Sequence, residues 1–124
     1  MKLRKNILLI ILVIVLTVTV VACGADALQR AVDIINSDEE LHEDLAGLFT
    51  VYAEAKDGSI MIVTFRAEAE DVATIEVAEA GANAAAPLFR AAVNGLRNAR
   101  VSDPKVLLQF LDLDGSLIYS REFS

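Results

Sequence analysis

The sequence predicts an α+β domain of two layers, in which a four-stranded antiparallel sheet made of two hairpins carries helices on one face. Two observations support this prediction. Asp57-Gly58 and Asp114-Gly115 each separate two runs that are rich in β-branched and aromatic residues. Each pair of runs is preceded by a stretch in which apolar residues recur every three or four positions, as they do along an amphipathic helix. The predicted order is therefore two helices and a hairpin, followed by one helix and a second hairpin.

The first helical stretch predicts two short helices in succession. Apolar residues at helical spacing place them over residues 27–36 and 38–46. Between the two, Ser37 and Glu40 have the spacing of a capping box, in which the serine side chain accepts a hydrogen bond from the Glu40 amide. Gly47 is expected to end the second helix, because glycine readily adopts the positive φ that follows many helices.

The two Asp-Gly pairs predict the hairpins. Residues 49–55 and 59–66 flank the first pair, and residues 106–113 and 116–123 flank the second. Asp-Gly between two β-rich runs is a strong signal for a two-residue type I′ turn, which requires positive φ at both central residues. The four flanking runs are therefore expected to form the four strands of the sheet.

Residues 71–98 predict a single long helix between the hairpins. Apolar residues keep recurring by three and four on both sides of Pro87, although that proline removes one amide donor and crowds the carbonyl of Asn83. A kink near residues 83–87 is therefore expected, with two helices meeting there as the alternative. The many alanines of this stretch would let the helix approach the sheet closely.

The second hairpin carries apolar residues on both of its faces. A two-residue loop would pair Leu111 with Ile118. The face that carries Leu107, Leu111, Leu113 and Ile118 then lies opposite the face that meets the helices. Large exposed apolar patches usually mark contact sites, so these four residues are the candidate interaction face. Cover by the rest of the chain is the alternative interpretation.

The chain is strongly acidic after its first residues. Eight Lys or Arg and eighteen Asp or Glu follow residue 22, so this part of the chain carries a formal charge of −10. A domain so acidic is repelled by phosphate polymers, which argues against nucleic acid as a partner and against lying flat on anionic lipid. Solubility is the simplest role of this charge. A basic partner protein or loosely held cations are the functional alternative.

The first residues have the pattern of a secretory signal, with basic residues ahead of an apolar run over residues 7–21. The run closes on Val20-Val21-Ala22-Cys23, and Cys23 is the single cysteine of the chain. These four residues resemble the lipobox of bacterial lipoproteins, in which an aliphatic residue, a variable residue and a small residue precede an invariant cysteine. The resemblance implies that a diacylglycerol is attached to Cys23 and that the chain is cut immediately before it.

Residues 1–22 are accordingly expected to be a lipoprotein signal peptide, and residues 23–124 a single extracytoplasmic domain anchored to the cell membrane at its N-terminus. One alternative is an uncleaved membrane helix, for which the apolar run is short of the ~20 residues that a bilayer core requires. The other is an ordinary cleaved signal. Neither explains the position of Cys23. The helical pattern begins within a few residues of Cys23, so the domain is expected to lie close to the bilayer.

Side chains suited to catalysis are scarce. His42 is the single histidine and lies in an acidic stretch, and the chain lacks a glycine-rich phosphate loop. The sequence therefore does not offer the set of residues that nucleophilic catalysis or a zinc site requires. We expect neither enzymatic activity nor a cofactor. Asp112 and Asp114 are weak candidates for a metal site, because alternate carboxylates before a glycine occur in calcium loops. The hairpin turn explains the same residues without a metal.

The chain as a whole is similar to a family of short bacterial lipoproteins, chiefly from Gram-positive species, whose single domain has no assigned function. The similarity rests on the lipobox, on the segment Asn-Ser-Asp-Glu-Glu-Leu at residues 36–41, and above all on the ending at residues 112–123. Pro87 and the alanines around it depart from the family pattern. The resemblance implies the lipid anchor and the α+β fold, and it implies nothing about activity.

Together these features predict a lipid-anchored interaction module that binds a membrane or envelope protein through the free face or edge of its sheet. The short tether, the doubly apolar hairpin and the missing catalytic residues are the observations behind this prediction. The alternative is a lipoprotein that binds a solute or a cation, for which an alanine-rich helix over a four-stranded sheet leaves little room. Dimerisation of the domain stays open.

Overall fold

The structure is a computed structural model that describes residues 25–124. The predicted signal peptide, its lipobox and Cys23 lie outside the described residues. In chain order the elements are α1 (Ala25–Ser37), α2 (Glu39–Leu45), β1 (Phe49–Lys56), β2 (Ile60–Ala67), a 3-10 turn (Glu70–Val72), α3 (Ile75–Asn98), β3 (Lys105–Leu111) and β4 (Leu117–Phe123). This order agrees with the predicted succession of two helices, a hairpin, a helix and a hairpin.

The four strands form one sheet in the order β1-β2-β3-β4. Each hairpin pairs antiparallel, but β2 and β3 run parallel at the centre of the sheet. The α+β class and the four-stranded sheet of two hairpins are confirmed, whereas the expectation of an antiparallel sheet throughout is wrong for the central pair. The reason is the connection through α3. A helix that crosses one face returns the chain to the end at which β2 began, so β3 runs in the same direction.

The helices pack on one face of the sheet, as predicted, and their buried apolar side chains form a single core with alternate residues of the strands. Within this layer α1 and α2 lie against β1, and α3 lies against β3 and β4. The strand residues of the core are Phe49, Val51, Ala53, Met61, Val63, Phe65, Ala67, Val106, Leu108, Phe110 and Phe123. Their period of two leaves the intervening residues on the opposite face.

The junction between α1 and α2 is capped by Asp38. Its Oδ1 accepts a hydrogen bond from the Leu41 N–H at 3.1 Å, whereas Ser37 is the last residue of α1. The predicted capping box on Ser37 is therefore wrong by one residue. Next to this cap, Nε2 of the half-buried His42 lies 3.1 Å from the carbonyl oxygen of Ile35. A hydrogen bond donated by the imidazole to that carbonyl ties the second helix to the end of the first.

The long helix α3 is continuous through Pro87, which excludes two helices meeting at the proline. It begins at Ile75 rather than at residue 71, because the Thr74 side chain caps it by accepting from the Val77 N–H at 3.2 Å. Its buried face is built mainly from small residues, and these alanines are Ala78, Ala82, Ala85, Ala86 and Ala92.

The two Asp-Gly turns have different conformations. Asp57 and Gly58 have φ values of +56° and +71°, so the positive φ predicted at both positions of the first turn is confirmed. Lys56 pairs with Ile60, however, so the connection has three residues, 57–59, rather than the predicted two. In the second pair Gly115 alone has a positive φ, +89°, and its N–H donates to the carbonyl of Asp112 at 2.9 Å. The connection there is a loop over residues 112–116 rather than the predicted two-residue turn.

The longer second loop changes the register of its hairpin. Leu111 pairs with Leu117, and not with Ile118 as the two-residue turn predicted. The irregularity lies between Phe110 and Leu111, where β4 has one residue more than β3. Such a bulge re-aims the side chains beside it, and here it separates the loop from the regular part of β4.

Candidate interaction surface

One face of the sheet lies opposite the layer of described helices. Because successive strand residues point to opposite faces, the residues between the core positions point to this second face, which we call the open face. Its side chains belong to Thr50, Tyr52, Glu54, Ile62, Thr64, Arg66, Leu107, Gln109, Leu111, Leu117, Ser120 and Glu122. The strand register aligns these residues in rows that cross the sheet.

One row of the open face has an apolar centre and charged ends. It joins Glu54, Ile62, Leu107 and Glu122 across the four strands. Ile62 and Leu107 are direct neighbours on the parallel pair, and both side chains are half-buried. An apolar centre within a polar rim is the usual composition of a protein contact surface. This row is therefore the part of the open face best suited to another protein.

The next row has a polar centre. The Thr64 hydroxyl donates to Gln109 Oε1 at 3.3 Å, and Thr64 is only 1% exposed although it lies opposite the helical layer. Its neighbour on β1 is Tyr52, which is 45% exposed. A buried hydroxyl is stabilised by such a partner. The bond also orients the Gln109 side chain, so that its amide nitrogen is one of the donors of this row, beside the hydroxyls of Tyr52 and Ser120.

The β3–β4 loop borders one end of the open face. Arg66 reaches from β2 and donates from Nη2 to the carbonyl oxygen of Leu113 at 2.7 Å. Within the loop, Asp112 Oδ1 accepts from the Leu113 N–H at 2.7 Å, and Asp114 Oδ1 accepts from the Ser116 N–H at 3.0 Å. The loop is thus held by three side chains, and it presents Leu113, 39% exposed, to solvent.

The carboxylates of Asp112 and Asp114 accept hydrogen bonds from backbone N–H groups of the loop. The hydrogen bond from the Ser116 backbone lowers the pKa of Asp114, and the nearby Arg66 guanidinium acts in the same direction. Among residues 25–124, no group of three or more His, Cys, Asp or Glu side chains is placed to hold a metal ion. The weak metal candidates Asp112 and Asp114 therefore gain no support from the structure.

The four residues of the predicted interaction face lie in three places. Leu107 and Leu111 are on β3 and point to the open face, where both are half-buried. Ile118 lies on β4 beside the register shift and is also half-buried. Leu113 belongs to the loop rather than to a strand. Leu107 and Leu111 therefore lie opposite the core as expected, whereas the chain beyond β3 takes another course than predicted. That this face binds a partner stays a prediction.

Sequence reasoning missed three apolar residues of this surface: Tyr52, Ile62 and Leu117. Leu117 is the cross-strand neighbour of Leu111 and is 57% exposed. A signal for Ile62 was present, since the run Ile-Met-Ile-Val at residues 60–63 is apolar at both odd and even positions. Such a run indicates a strand with apolar residues on both faces.

The predicted anchor cannot be placed beside this surface, because Val20, Val21, Ala22 and Cys23 lie outside the described residues. Within residues 25–124, none of the helices is both long enough and apolar enough to span a bilayer.

The chain was also compared with known proteins. No protein-family model, no curated protein and no solved structure matches it. The similarity to short bacterial lipoproteins therefore stays a prediction.

Proposed function

We propose that this chain is a lipoprotein on the extracytoplasmic face of the cell membrane, anchored by lipid on Cys23. Its domain is a non-enzymatic module that binds a membrane or envelope protein through the open face. The observation that carries this choice of surface is the adjacent half-buried pair Ile62 and Leu107, on the sheet face opposite the helices. Two exposed side chains add apolar surface elsewhere on the open face: Tyr52 on β1, beside Thr64, and Leu117 on β4, beside Leu111.

Support for the anchor comes from the sequence and from the start of α1. The lipobox pattern ends at Cys23, and α1 begins at Ala25, so Gly24 alone separates the two. One extended residue spans at most ~3.6 Å. A lipid on Cys23 would hold α1 at the bilayer surface, where the effective concentration of other membrane-bound proteins is high.

Charge favours a protein over lipid headgroups or nucleic acid as the partner. The formal charge of −10 beyond residue 22 opposes contact with phosphate. The open face carries Glu54 and Glu122 at its two edges and Arg66 near the loop. A protein that fits this face has an apolar centre opposite Ile62 and Leu107, with basic groups that reach the two glutamates.

The test is a crosslinking pull-down from intact cells that express the tagged full chain. Leu117→Asp is the surface variant, and Ile75→Asp is its matched control. Leu117 is 57% exposed and Ile75, at the start of α3, is 56% exposed, so both changes add the same charge at equally exposed leucine and isoleucine positions. We expect one membrane or envelope protein to be recovered with the wild type and Ile75→Asp, and to be lost with Leu117→Asp.

The anchor is tested in the same cells. Labelling with a radioactive fatty acid is expected to mark the wild-type chain and to leave Cys23→Ser unmarked. An unlabelled wild-type chain would refute the anchor whatever the pull-down shows. Recovery that is equal for Leu117→Asp and Ile75→Asp would refute the open face as the contact surface, even if the label confirmed the lipid.

A further inference from the structure

The two edge strands of the sheet, β1 and β4, differ in the hydrogen bonding of their outer backbone groups. At the β1 edge, the Asn36 side chain bonds both backbone groups of Ala53, at 2.8 Å to the carbonyl and 2.7 Å from the N–H. β4 is the outermost strand at the other edge, and no residue among 25–124 hydrogen-bonds to the outer side of its backbone. An uncovered edge strand is a template for pairing with another strand.

The backbone groups that β4 offers at its edge follow from the register. Lys105 donates its N–H to Ser59 on the β2 side, at 3.0 Å. Hydrogen-bonding direction alternates along a strand, so Val106, Leu108 and Phe110 face β4 instead. Their partners on β4 are Phe123, Arg121 and Tyr119. The residues between these partners, Ser120 and Glu122, therefore direct their N–H and C=O groups outward.

The charge of the chain is concentrated away from this edge. Residues 26–74 contain twelve Asp or Glu and three Lys or Arg, a formal charge of −9. Residues 75–124 contain six Asp or Glu and five Lys or Arg, a formal charge of −1. The first part forms α1, α2, β1 and β2, and the second forms α3, β3 and β4. The β4 side is therefore the nearly neutral side of an acidic molecule.

We propose that β4 pairs antiparallel with β4 of a second copy of this chain, with the two-fold axis at Ser120. Ser120 is the middle residue of the seven in β4, and its outward backbone groups would exchange two hydrogen bonds with Ser120 of the other copy. Glu122 would lie opposite Ile118, so that no like charges face each other directly. The two four-stranded sheets then join into one sheet of eight strands.

A second copy fits this edge better than an unlike partner does, because of where the charge lies. In the joined sheet the two β1 strands stand seven strand spacings apart, about 34 Å. That separation is several times the Debye length of about 8 Å at physiological ionic strength, so the acidic sides scarcely repel each other. A basic peptide, by contrast, would be drawn to the acidic side and away from β4.

Arg121 does not obstruct this pairing. Its guanidinium is turned toward the helical layer, where Nη1 donates to Asn83 Oδ1 at 2.7 Å. The same guanidinium lies 4.9 Å from the centre of the Phe123 ring. The charge is thus held between β4 and α3 instead of along the strand edge. This inference concerns the edge of the sheet and does not depend on the open face or on the lipid anchor.

Disulfide crosslinking of the full chain in membranes tests the pairing and its register. Ser120→Cys would place two thiols on residues about 5.5 Å apart between Cα atoms, within the range of a disulfide. In Glu122→Cys the two thiols would be about 14 Å apart along the strands. Glu54→Cys puts a thiol on the open face of the other edge strand. The wild-type chain is the control that reveals any disulfide-linked dimer formed through Cys23.

With mild oxidant, we expect the Ser120→Cys chain to run as a disulfide-linked dimer on a non-reducing gel. Glu122→Cys, Glu54→Cys and the wild type are expected to stay monomeric. Equal crosslinking of Ser120→Cys and Glu54→Cys would overturn the proposal in favour of contact between faces or random collision. No crosslinking of Ser120→Cys would overturn it outright.

A proline variant tests the same edge without a thiol. The Ser120 N–H faces outward, so Ser120→Pro removes a bond to the second copy and none to β3. We expect the full chain in detergent to sediment as a dimer in the wild type and as a monomer in Ser120→Pro, with unchanged circular dichroism. A dimer that persists in a folded Ser120→Pro chain would overturn the pairing. If this variant does not fold, the cysteine series decides.

Discussion

The side chain of Asn36 occupies the place that a fifth strand would take beside Ala53. Its amide nitrogen donates to the Ala53 carbonyl at 2.8 Å, and its amide oxygen accepts from the Ala53 N–H at 2.7 Å. Ala53 lies on the edge strand β1, where unpaired backbone groups invite other strands. Asn36 satisfies both of these groups, so α1 is tied to the sheet by hydrogen bonds as well as by packing.

Replacement of Asn36 by alanine is expected to lower the free energy of unfolding by about 1–3 kcal/mol, because it leaves two partly buried backbone groups without their partner. Asn94→Ala is the control. It removes an exposed bond from Arg97 Nη1 at 2.9 Å within α3 and should change stability by less than about 0.5 kcal/mol. Denaturant unfolding followed by circular dichroism measures both, and equal losses would contradict the role of Asn36 at the edge.

Arg100, two residues beyond the end of α3, has an unfavourable backbone conformation. The Val101 N–H donates to the Leu96 carbonyl at 2.9 Å and the Arg100 N–H to the Arg97 carbonyl at 3.0 Å, the two bonds of a Schellman motif. The residue at the position of Arg100 in this motif is usually glycine, and here the arginine has a φ of +67°. For an L-residue with a side chain that conformation is unfavourable.

Arg100→Gly is therefore expected to stabilise the chain by about 1 kcal/mol, since glycine adopts positive φ without steric cost. Arg90→Gly removes the same charge from an exposed position inside α3 and is expected to destabilise by about 1 kcal/mol. Thermal unfolding of the two variants beside the wild type distinguishes these opposite signs. A loss of stability in both would show that the side chain of Arg100 matters more than its backbone.

The stability of the β3–β4 loop is expected to depend on pH through Asp114. The Ser116 backbone hydrogen bond is the main cause that lowers the pKa of Asp114 below its ordinary value of 3.8, and Arg66 contributes less. A group whose pKa is lowered by folding stabilises the folded state when it is ionised in both states. That contribution is present above the ordinary value and is lost as the pH falls through the lowered one.

Nuclear magnetic resonance titration of the Asp114 carboxyl measures this directly. We expect a midpoint below 3.8, and a shift upward in Arg66→Gln, because the guanidinium no longer favours the carboxylate. Asp114→Asn is expected to weaken the acid dependence of thermal unfolding, since the asparagine side chain does not titrate. A wild-type midpoint at or above 3.8 would contradict the hydrogen-bond pattern of the loop.

The aromatic cluster of the core depends on Phe65. Its ring stacks on Phe110 with centroids 5.1 Å apart and meets Phe49 edge-on at 6.1 Å, and it is 1% exposed. Phe65→Ala is expected to cost about 3–5 kcal/mol, the transfer term plus the cavity that remains. Tyr52→Ala, on the open face and 45% exposed, is expected to cost much less. Denaturant midpoints give both values, and similar losses would place the core elsewhere.

The two Asp-Gly pairs show how far turn chemistry can be predicted. Asp57 and Gly58 adopt the positive φ values that the dipeptide favours. In the second pair Gly115 alone does so, because the side chains of Asp112 and Asp114 accept hydrogen bonds from backbone N–H groups inside a longer loop. Such bonds from nearby side chains compete with the turn that the dipeptide alone would choose. A prediction based on two residues does not weigh that competition.

The open face was predictable only within one strand. Alternation along β3 assigned Leu107 and Leu111 to the side opposite the core, and both side chains lie there. Ile62 became the neighbour of Leu107 because β2 and β3 are adjacent and parallel. No pattern within either strand contains that information, since it depends on the direction in which α3 returns the chain.

Amino-acid pattern alone was enough to predict the order of the α-helices and strands in residues 25–124, although not the 3-10 turn at Glu70–Val72, and to mark residues 20–23 as a candidate anchor. Periodicity, capping and turn propensity act between residues a few positions apart, so they are visible in a sequence. The parallel central pair and the bonds of Asn36 to Ala53 were established by packing across the whole domain. Asn36 and Ala53 are seventeen positions apart, and contacts at such separations follow from how the layers meet rather than from any local preference.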